Sequence, residues 1–440
     1  MTGANFLLEE GDFKILIDCG LEQGSRFADS SNREEFPYDP ASIKMLFITH
    51  SHIDHIGRIP KLVKDGFKGV IYSTPETLKI SSLLLDDALM LLDQEARHEG
   101  ILPLYEKKDV EFTKSLWQEI AYHSPRDIGE GIKVTFKDAG HVLGSSMIEF
   151  EKNDRKIVFT GDLGNTPTPL LKDTEDITDA NYMVIESVYG DRNHEPKDER
   201  RRHLKDVIKK AIKMKGTLLI PAFSLERTQV LLYEINNMVE GGEIESIPVF
   251  LDSPLAIKVT DIYKHSFDDF NAKVQSQIMG GDDIFKFPKL KFTLLPKDSQ
   301  RIIGAPSPKI VIAGSGMSTG GRIIEHEKHY LSDPNSTILF VGYQAPGSLG
   351  RIIQDGAKEV DIYGEKIKIR ANIESISGYS SHKDSEHLVE FVSKTATIAE
   401  KVFVVMGEPK SALFLVQRLR DYLNVDAIAP SKGESFEISL

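Results

Sequence analysis

The sequence predicts an α/β protein, and three observations lead to that fold class. Short β-branched runs alternate with longer amphipathic segments, which is the pattern of strands linked by helices. The length of 440 residues is about three times that of a usual domain, so two lobes or one domain with an insertion are expected. Four apolar runs read as buried strands that each end in a polar residue, where α/β proteins place their sites: Lys14–Ile17, Met45–Ile48, Lys156–Phe159 and Met183–Ile185.

Helix boundaries can be read at several places. Thr74-Pro75-Glu76 opens a helix, because Thr is a capping residue and Pro is favoured at the first helical position. Leu204–Met214 and Ser385–Val392 have the spacing of amphipathic helices. The residues after His55 predict a further helix that runs towards Lys64 and stops at Asp65-Gly66.

Composition and charge restrict the class of protein. With 54 Lys and Arg against 67 Asp and Glu, the net charge is −13, which argues against a non-specific coat of nucleic acid. A nuclease stays open, because bound metal ions or a local basic groove can attract phosphate. The lone Cys19 excludes an internal disulfide framework. Without an export signal or an apolar run of membrane-spanning length, the sequence predicts a cytoplasmic protein.

Two polar stretches are assigned to solvated helix faces. Lys197–Lys215 is the most basic part of the chain, but acids are interleaved with its cations. A solvated face is therefore favoured there, with an RNA-contacting surface as the alternative. His326-Glu327-Lys328-His329 has helical spacing, and an exposed polar face is favoured for it as well.

The strongest chemical signal follows the strand that ends at Ile48. His50, His52, Asp54 and His55 arrive within six positions. His50 and His52 are two apart in extended chain and point to one side, whereas Asp54 and His55 lie where a helix begins. Neutral imidazoles with a carboxylate suit Zn²⁺ or a similar ion. The spacing therefore predicts two His for one metal and an Asp–His pair for a second.

Three further residues are candidates for the remaining ligands and their support. His141 lies between glycines, which allow the backbone to approach a site closely. Asp162 follows a buried strand and is placed to bridge two metals. Asp18 ends the first buried strand and suits a carboxylate that orients a ligand His or holds water. A turn Asp before a glycine is the alternative for Asp18.

The order and spacing of these residues resemble the metallo-β-lactamase fold. Later stretches resemble its β-CASP branch, whose members cut nucleic acids, and in particular ribonuclease J and the nuclease subunit of the pre-mRNA 3′-end cleavage machinery. The resemblance covers nearly the whole chain and is closest to compact prokaryotic members. It rests on Glu186-Ser187-Val188-Tyr189-Gly190, Pro221-Ala222-Phe223-Ser224, Asp252-Ser253-Pro254-Leu255-Ala256, Gly316-Met317-Ser318-Thr319-Gly320-Gly321-Arg322, Gly342-Tyr343-Gln344-Ala345 and Ser377-Gly378-Tyr379-Ser380-Ser381-His382.

The resemblance implies a metallo-β-lactamase αββα sandwich with an inserted α/β β-CASP domain. The sandwich would occupy residues 1–190 and 373–440, the insert residues 191–372, and single-stranded RNA would enter the cleft between the two domains. Two Zn²⁺ ions, or Mn²⁺, are expected per chain, and dimerisation is common in the family. The implied metal ligands are His50, His52, Asp54, His55, His141 and Asp162.

The resemblance also implies a ribonuclease mechanism with Asp18, Asp54, Glu186 and His382 as its catalytic residues. A metal-activated water would attack phosphorus. His382, paired with Glu186, would give the leaving 3′-oxygen its proton; contact with phosphate alone is the alternative for His382. The expected RNA contacts are Ser315, Gly316, Met317, Ser318, Arg322, Ser380 and Ser381.

The chain departs from the family at three places. Met406, in Val404-Val405-Met406-Gly407-Glu408, stands where a ligand His of the second metal is usual, and a thioether is a poor ligand for Zn²⁺ beside carboxylates. The second site is therefore expected to be weakened, unless Met406 is ordinary core packing. Glu226 stands where Gly is more usual. Relatives open with a strand before the segment that matches Thr2–Glu9, so that strand is either absent here or trimmed.

Three other functions stay open. The replacement of a usual ligand by Met406 is consistent with a catalytically impaired homologue that binds RNA. Met406 also resembles the apolar residue of DNA nucleases, whereas Glu186 is typical of the RNA branch, and the wider resemblance favours RNA. A small-molecule metallohydrolase would explain the His50 cluster but not the β-CASP stretches.

Overall fold

The computed structural model describes residues 3–22 and 26–440, so Thr2 lies outside the described residues. These residues form two compact units. The first comprises Met1–Asn193 and Ser381–Leu440, and the second comprises His194–Ser380. The domain boundaries expected after residues 190 and 372 stay a prediction, because a compact unit need not coincide with a domain.

The secondary structure elements are numbered in chain order. The strands are β1 (Phe6–Glu10), β2 (Phe13–Ile17), β3 (Met45–Phe47), β4 (Val70–Ser73), β5 (Trp117–Glu119), β6 (Arg126–Gly129), β7 (Ile132–Asp138), β8 (Ser146–Lys152), β9 (Arg155–Phe159), β10 (Tyr182–Glu186), β11 (Thr217–Pro221), β12 (Val249–Asp252), β13 (Leu290–Phe292), β14 (Lys309–Ala313), β15 (Thr337–Phe340), β16 (Glu359–Ile362), β17 (Glu365–Lys368), β18 (Asn372–Ser375), β19 (Lys401–Val405) and β20 (Ala427–Ile428). The helices are α1 (Arg26–Arg33), α2 (Ile53–Ile56), α3 (Ile59–Lys64), α4 (Pro75–Glu99), α5 (Lys107–Ser115), α6 (Lys197–Met214), α7 (Arg227–Glu240), α8 (Pro254–Lys264), α9 (Ala272–Met279), α10 (Pro296–Gly304), α11 (Arg322–Tyr330), α12 (Leu349–Gln354), α13 (Ser385–Ser393) and α14 (Pro409–Leu423).

The first unit is a sandwich of two sheets. One sheet has the order β1-β2-β3-β4-β5 and the other β20-β19-β10-β9-β8-β7-β6. Side chains alternate along each strand, so β10 sends Val184 into the core between the sheets and Met183 into a second core beneath α13 and α14. On the other side, α2, α3, α4 and α5 cover the first sheet through a third core. The predicted αββα architecture is confirmed.

Local signals explain how two of the helices begin. The Thr74 hydroxyl accepts the backbone N–H of Thr77, and Pro75 occupies the first helical position, as predicted. The single helix predicted from His55 to Lys64 is wrong, because the chain forms α2 and α3 instead. Pro60 has no N–H to continue a helix and disfavours helical backbone just before it, so the first helix stops and a second begins.

The second unit is built on a six-stranded parallel sheet. Its order is β13-β12-β14-β11-β15-β18, and an antiparallel hairpin of β16 and β17 lies beside it. The carboxyl ends of parallel strands meet at one edge of a sheet. The stretches that begin at Ala222, Ser253 and Gly314 therefore follow neighbouring strands and lie along that edge.

A buried carboxylate fastens this edge. Asp252, at the end of β12, accepts hydrogen bonds from Thr293 Oγ1 (2.6 Å), Arg322 Nη1 (2.7 Å) and His326 Nε2 (2.7 Å). Burial raises the pKa of Asp252, but the hydrogen bonds from His326 and its other donors outweigh burial and hold it at about 2. The exposed face predicted for His326 and Glu327 is wrong, because both side chains are buried. His326 and Glu327 form hydrogen bonds inside the unit instead of contacting water.

Glu226 also differs from an ordinary surface acid. It precedes α7 with φ of 63°, a backbone region in which glycine is favoured. Its buried carboxyl group accepts a hydrogen bond from Tyr263 Oη at 2.6 Å. Burial raises the pKa of Glu226 to about 7.

The described helices were also compared with the requirements of a membrane span. None of them is long and apolar enough to cross a bilayer.

The raised pKa of Glu226 predicts a pH-dependent stability. The folded state holds the proton more tightly than the unfolded chain, so the stabilisation is complete below about pH 4 and is lost as the pH rises through about 7. We expect the free energy of unfolding of Glu226→Gln, relative to that of the parent, to rise by up to about 3 kcal/mol as the pH rises from 5 to 8. Thermal melts of both proteins across this range measure the difference.

Glu243→Gln is the matched control for Glu226→Gln. Hydrogen bonds from Arg201 and Lys205 lower the pKa of Glu243 to about 2, so its ionisation is complete in both states above pH 5. Its difference from the parent should stay constant between pH 5 and pH 8. A constant difference for Glu226→Gln as well would contradict the prediction.

Candidate metal centre and active site

Strand ends from both sheets of the first unit build one site. Asp18 follows β2, and His50 and His52 follow β3, in the first sheet. In the second sheet, Asp162 follows β9 and Glu186 ends β10. The parallel pairs β2–β3 and β9–β10 run in register, so each pair delivers its side chains at one edge of its sheet.

Four ligand atoms converge in the pattern of a metal site. His50, His52, His141 and Asp162 each offer one atom, and these atoms all lie within 4.8 Å of one another. His52 Nδ1 lies 3.0 Å from His50 Nε2 and 3.3 Å from His141 Nε2. Asp162 Oδ2 lies 3.4 Å from His50 Nε2 and 3.6 Å from His141 Nε2. Tetrahedral Zn²⁺ with bonds of about 2.0–2.1 Å separates its ligand atoms by roughly 3.3 Å, so the donor set fits such an ion.

Protonation and second contacts prepare these histidines as ligands. Burial, with the neighbouring histidines, holds the pKa of His52 and of His141 well below its usual value, so both imidazoles are neutral. His50 Nδ1 lies 3.1 Å from the Thr49 hydroxyl, and His141 Nδ1 lies 3.2 Å from the Ser381 carbonyl oxygen. Such partners fix the ring that faces a metal.

His55 and the other oxygen of Asp162 form a second pair of possible ligand atoms. Asp18 fixes His55, since its Oδ2 lies 2.7 Å from His55 Nδ1 and also accepts the Thr49 hydroxyl at 2.7 Å. His55 Nε2 and Asp162 Oδ1 are 3.5 Å apart, and within the described chain neither buried atom has a hydrogen-bond partner. Buried polar atoms without partners are rare in folded proteins, so this pair fits a ligand that bridges it.

The remaining residues near this second position contribute less. Asp54 is buried on α2, but among the described residues it joins no group of three ligands within 4.8 Å, and neither does His55. Met406 follows β19 with φ of 61° and lines a small cavity together with Asp18, His55 and Glu186. The Met406 thioether thus lines the cavity beside His55, at the position where the family resemblance implies a ligand histidine.

Glu186 and His382 form a pair beside the metal ligands. His382 Nδ1 lies 3.1 Å from Glu186 Oε2 and 3.9 Å from Asp162 Oδ2. Backbone hydrogen bonds hold the residues on either side of His382 to the loop after β9: Asn165 N–H to Ser381 O and Lys383 N–H to Leu163 O. Burial lowers the pKa of His382, but the Glu186 and Asp162 carboxylates outweigh it and raise that pKa to about 9. The two carboxylates therefore favour the protonated form of His382.

Most of the predicted RNA contacts lie in the second unit and already have partners there. Ser318 is buried and donates to Glu327, and Arg322 donates to Asp252 and to the carbonyls of Thr293 and Leu294. Gly316 O accepts the Gln344 amide at 2.8 Å. Their contact with RNA stays a prediction. The other expected contacts are Ser315, whose hydroxyl lies 3.1 Å from that of Thr319, Met317 and Ser380, together with Ser381 in the first unit.

Thr49 and the Leu163 backbone position site residues through hydrogen bonds, and neither role was predicted from the sequence. Thr49 donates its hydroxyl and its backbone N–H to Asp18, and the Leu163 N–H donates to Glu186 Oε1 at 2.6 Å. Thr49 was visible as the residue before His50. The Leu163 backbone carries no sequence signal, because any residue except proline supplies an N–H.

Three stretches of the chain match known protein families. Residues 3–222 match the metallo-beta-lactamase superfamily, residues 228–353 the Beta-Casp domain, and residues 366–430 the Zn-dependent metallo-hydrolase RNA specificity domain. Ribonuclease TTHA0252 of Thermus thermophilus is 33% identical, over 94% of this chain and 92% of its own. The RNase J-like protein of Methanocaldococcus jannaschii is 30% identical, over 96% and 93%.

Two further similarities extend the comparison. Transcription termination factor FttA of Methanosarcina mazei is 32% identical over 98% of this chain and 69% of its own. The crystal structure of a protein of unknown function from Enterococcus faecalis V583 superposes with a TM-score of 0.55 and 13% identity. It covers 98% of this chain and 96% of that one, and supports the fold alone.

The four converging ligands predict a measurable loss of metal. We expect His52→Ala to weaken the tighter metal at least about a hundredfold, because one of four direct ligands is removed. Metal per chain, measured by mass spectrometry after gel filtration through metal-free buffer, reports the loss. His98→Ala, on the exposed end of α4, is the matched control and should retain the parent's metal. Equal metal in both variants would contradict the assignment.

Proposed function

We propose that this chain, which belongs to the metallo-beta-lactamase superfamily and carries its Beta-Casp domain, is a zinc-dependent ribonuclease that hydrolyses phosphodiester bonds of single-stranded RNA. One observation carries the proposal: a four-ligand metal cluster and a carboxylate–imidazole pair meet at the same Asp162 carboxylate. The names of the relatives add the substrate, since two of them are ribonucleases by name.

The chain's residues would hold two ions. His50, His52, His141 and Asp162 would hold the first, and His55, Asp162 and Asp54 the second. A bound divalent ion neutralises charge on the phosphate and lowers the pKa of the attacking water. Asp18 keeps His55 oriented through its Nδ1, and Thr49 keeps Asp18 oriented.

His382 is the proton donor in this proposal. Cleavage leaves an oxyanion on the departing sugar, and a protonated imidazole within reach lowers the cost of that charge. Glu186 holds the proton on His382 Nδ1, and its two oxygens lie 3.1 and 3.2 Å from that atom. A His382 that only contacts phosphate would bind RNA with the same charge but would not act on the leaving group.

The proposal is tested first by cutting. We expect end-labelled single-stranded RNA to be cleaved in added Zn²⁺ or Mn²⁺, DNA of the same sequence to be spared, and His52→Ala to abolish cleavage. Internal fragments would indicate endonuclease action, and released mononucleotides would indicate exonuclease action. Preferred DNA cleavage would replace the proposal with a DNA nuclease. RNA binding without cutting would indicate a catalytically impaired homologue.

The role of His382 is tested separately from the metals. We expect His382→Ala to lower kcat by about 10²–10⁴ while the metal content stays at the parent level, because the residue acts on the leaving group. His387→Ala, on the neighbouring helix α13, is the matched control. A loss of metal equal to the loss of activity would make His382 a ligand instead.

Met406 provides the test of the second ion. We expect Met406→His to raise the metal content towards two per chain, because an imidazole is a far better Zn²⁺ ligand than a thioether. Elemental analysis at a fixed excess of Zn²⁺ measures the metal content. Met406→Leu is the control and should have the same metal content as the parent. Unchanged occupancy in Met406→His would contradict the assignment of residue 406.

A further inference from the structure

One segment of the second unit combines positive charge with exposed apolar side chains. Lys286–Lys297 contains four lysines and no acid, within a protein of net charge −13. We call these residues the edge segment, since they include β13, the outermost strand of the parallel sheet. Its positive charge opposes that of the molecule as a whole and therefore marks a local site for an anion.

The lysines of the edge segment keep their charges available. Lys286, Lys289, Lys291 and Lys297 are exposed, and none is in an ion pair within the part of the chain that the structure describes. Lys289 donates to the Ser246 carbonyl at 2.8 Å, and Lys291 Nζ lies 5.6 Å from the ring centre of Phe250. Neither contact neutralises a charge.

Apolar side chains are exposed between these lysines. Phe292 is 42% exposed, Leu294 52% and Leu295 50%. Lysines alone would be explained as protection of a sheet edge against pairing with another chain. That protection does not explain an exposed ring and two exposed leucines at the same edge, since each adds to the tendency to associate.

The edge segment is held firmly at the carboxyl edge of the sheet. Arg322 donates to the carbonyls of Thr293 (2.8 Å) and Leu294 (2.7 Å), and Thr293 donates to Asp252. Arg322 begins α11 directly after the loop 314–321. Arg322 thus links the segment to loop 314–321, for which the sequence predicts contact with RNA phosphates. That loop follows β14, which lies two positions from β13 in the sheet, or about 10 Å.

We propose that the edge segment binds single-stranded RNA, with Phe292 stacking on a base and the lysines on either side pairing with phosphates. Proteins that hold single strands without reading sequence combine these two features, because every base has a face that can stack and every nucleotide has a charge. The side chains of Lys291 and Phe292 point to opposite faces of the edge, so a strand that follows the edge meets both. The inference rests on the proposed ribonuclease function and adds a substrate contact to it.

Binding of RNA without cleavage tests the inference. Fluorescence anisotropy of a labelled single-stranded 15-mer, read in a His382→Ala background, keeps the strand intact. We expect Phe292→Ser to weaken binding about tenfold and Phe292→Trp to retain it, since loss of one stacked base costs roughly 1–3 kcal/mol. Leu294→Ser, at a more exposed position, should weaken binding in the same direction. Thermal melts verify that each variant is folded.

The lysines are tested by the salt dependence of binding. We expect Lys291→Gln/Lys297→Gln to reduce the slope of log affinity against log salt by about 1.4, or 0.7 for each single-strand phosphate contact. Lys273→Gln/Lys358→Gln removes the same charge from exposed positions on α9 and just before β16 in the same unit and should leave the slope of the parent. An equal change in both double variants would overturn the inference, because it would reduce the effect to overall charge.

Two other results would also overturn it. Parent-like binding by Phe292→Ser and Leu294→Ser would exclude a stacking surface. The second result is that Lys291→Gln/Lys297→Gln self-associates in sedimentation experiments but binds RNA as the parent does. The lysines would then protect the sheet edge from pairing with a second copy of this chain. The cleavage assay separates these failures from failure of the proposed function, because a protein that binds RNA through Phe292 without cutting it contradicts only the ribonuclease.

Discussion

The Asp162 carboxylate is the constraint on which the site of the first unit depends. Oδ2 completes the cluster of His50 and His141, and Oδ1 faces His55 at 3.5 Å. Burial would raise the pKa of this carboxyl group, yet His55, His382 and His50 hold it well below its usual value. An ionised carboxylate is costly to bury unless cations or hydrogen bonds surround it. Its charge therefore requires the histidines, and the histidines are useful as ligands only because they converge on it.

The fold supplies that convergence through strand ends. Each sheet of the first unit contributes a parallel pair whose carboxyl ends carry short polar loops, and the core between the sheets keeps the two pairs opposed. Phe47 shows how directly packing and chemistry are coupled. Its ring, three residues before His50, lies 5.4 Å from that of Tyr72 in the same sheet and 5.2 Å from that of Phe150 in the opposite sheet. A change in the packing of this ring would move the first metal ligand.

The second unit uses its buried charges differently. Asp252 fastens β12, the residue after β13 and helix α11 by hydrogen bonds, so the stretches at the carboxyl edge of the sheet are rigid. Arg322 donates to Asp252 and to two carbonyls of the edge segment, and these hydrogen bonds hold the segment to α11. Among the described residues the lysines of that segment are in no ion pair, and we infer that they, rather than Arg322, meet a polyanion.

The sequence by itself determined the fold class and the strands that carry the site, and it predicted the four side chains that the structure brings together as possible metal ligands. His50 and His52 were readable because their spacing of two in extended chain is a local property. The αββα sandwich followed from motifs along the whole chain, and both sheets with their covering helices are present. The start of α4 was readable for the same local reason, since its cap and its proline are neighbours in sequence.

Only the tertiary structure decided which residues far apart in the sequence form hydrogen bonds with one another. Asp18 and Thr49 are 31 positions apart, and Leu163 and Glu186 are 23 apart, yet each pair is within hydrogen-bond distance. Spacing cannot encode such distances, because they depend on how sheets pack rather than on local geometry. The same limit explains His326, whose polar neighbours along α11 suggested a solvated face. Its actual partner is Asp252, 74 positions away, and a buried pair of that kind leaves no periodic pattern in the sequence.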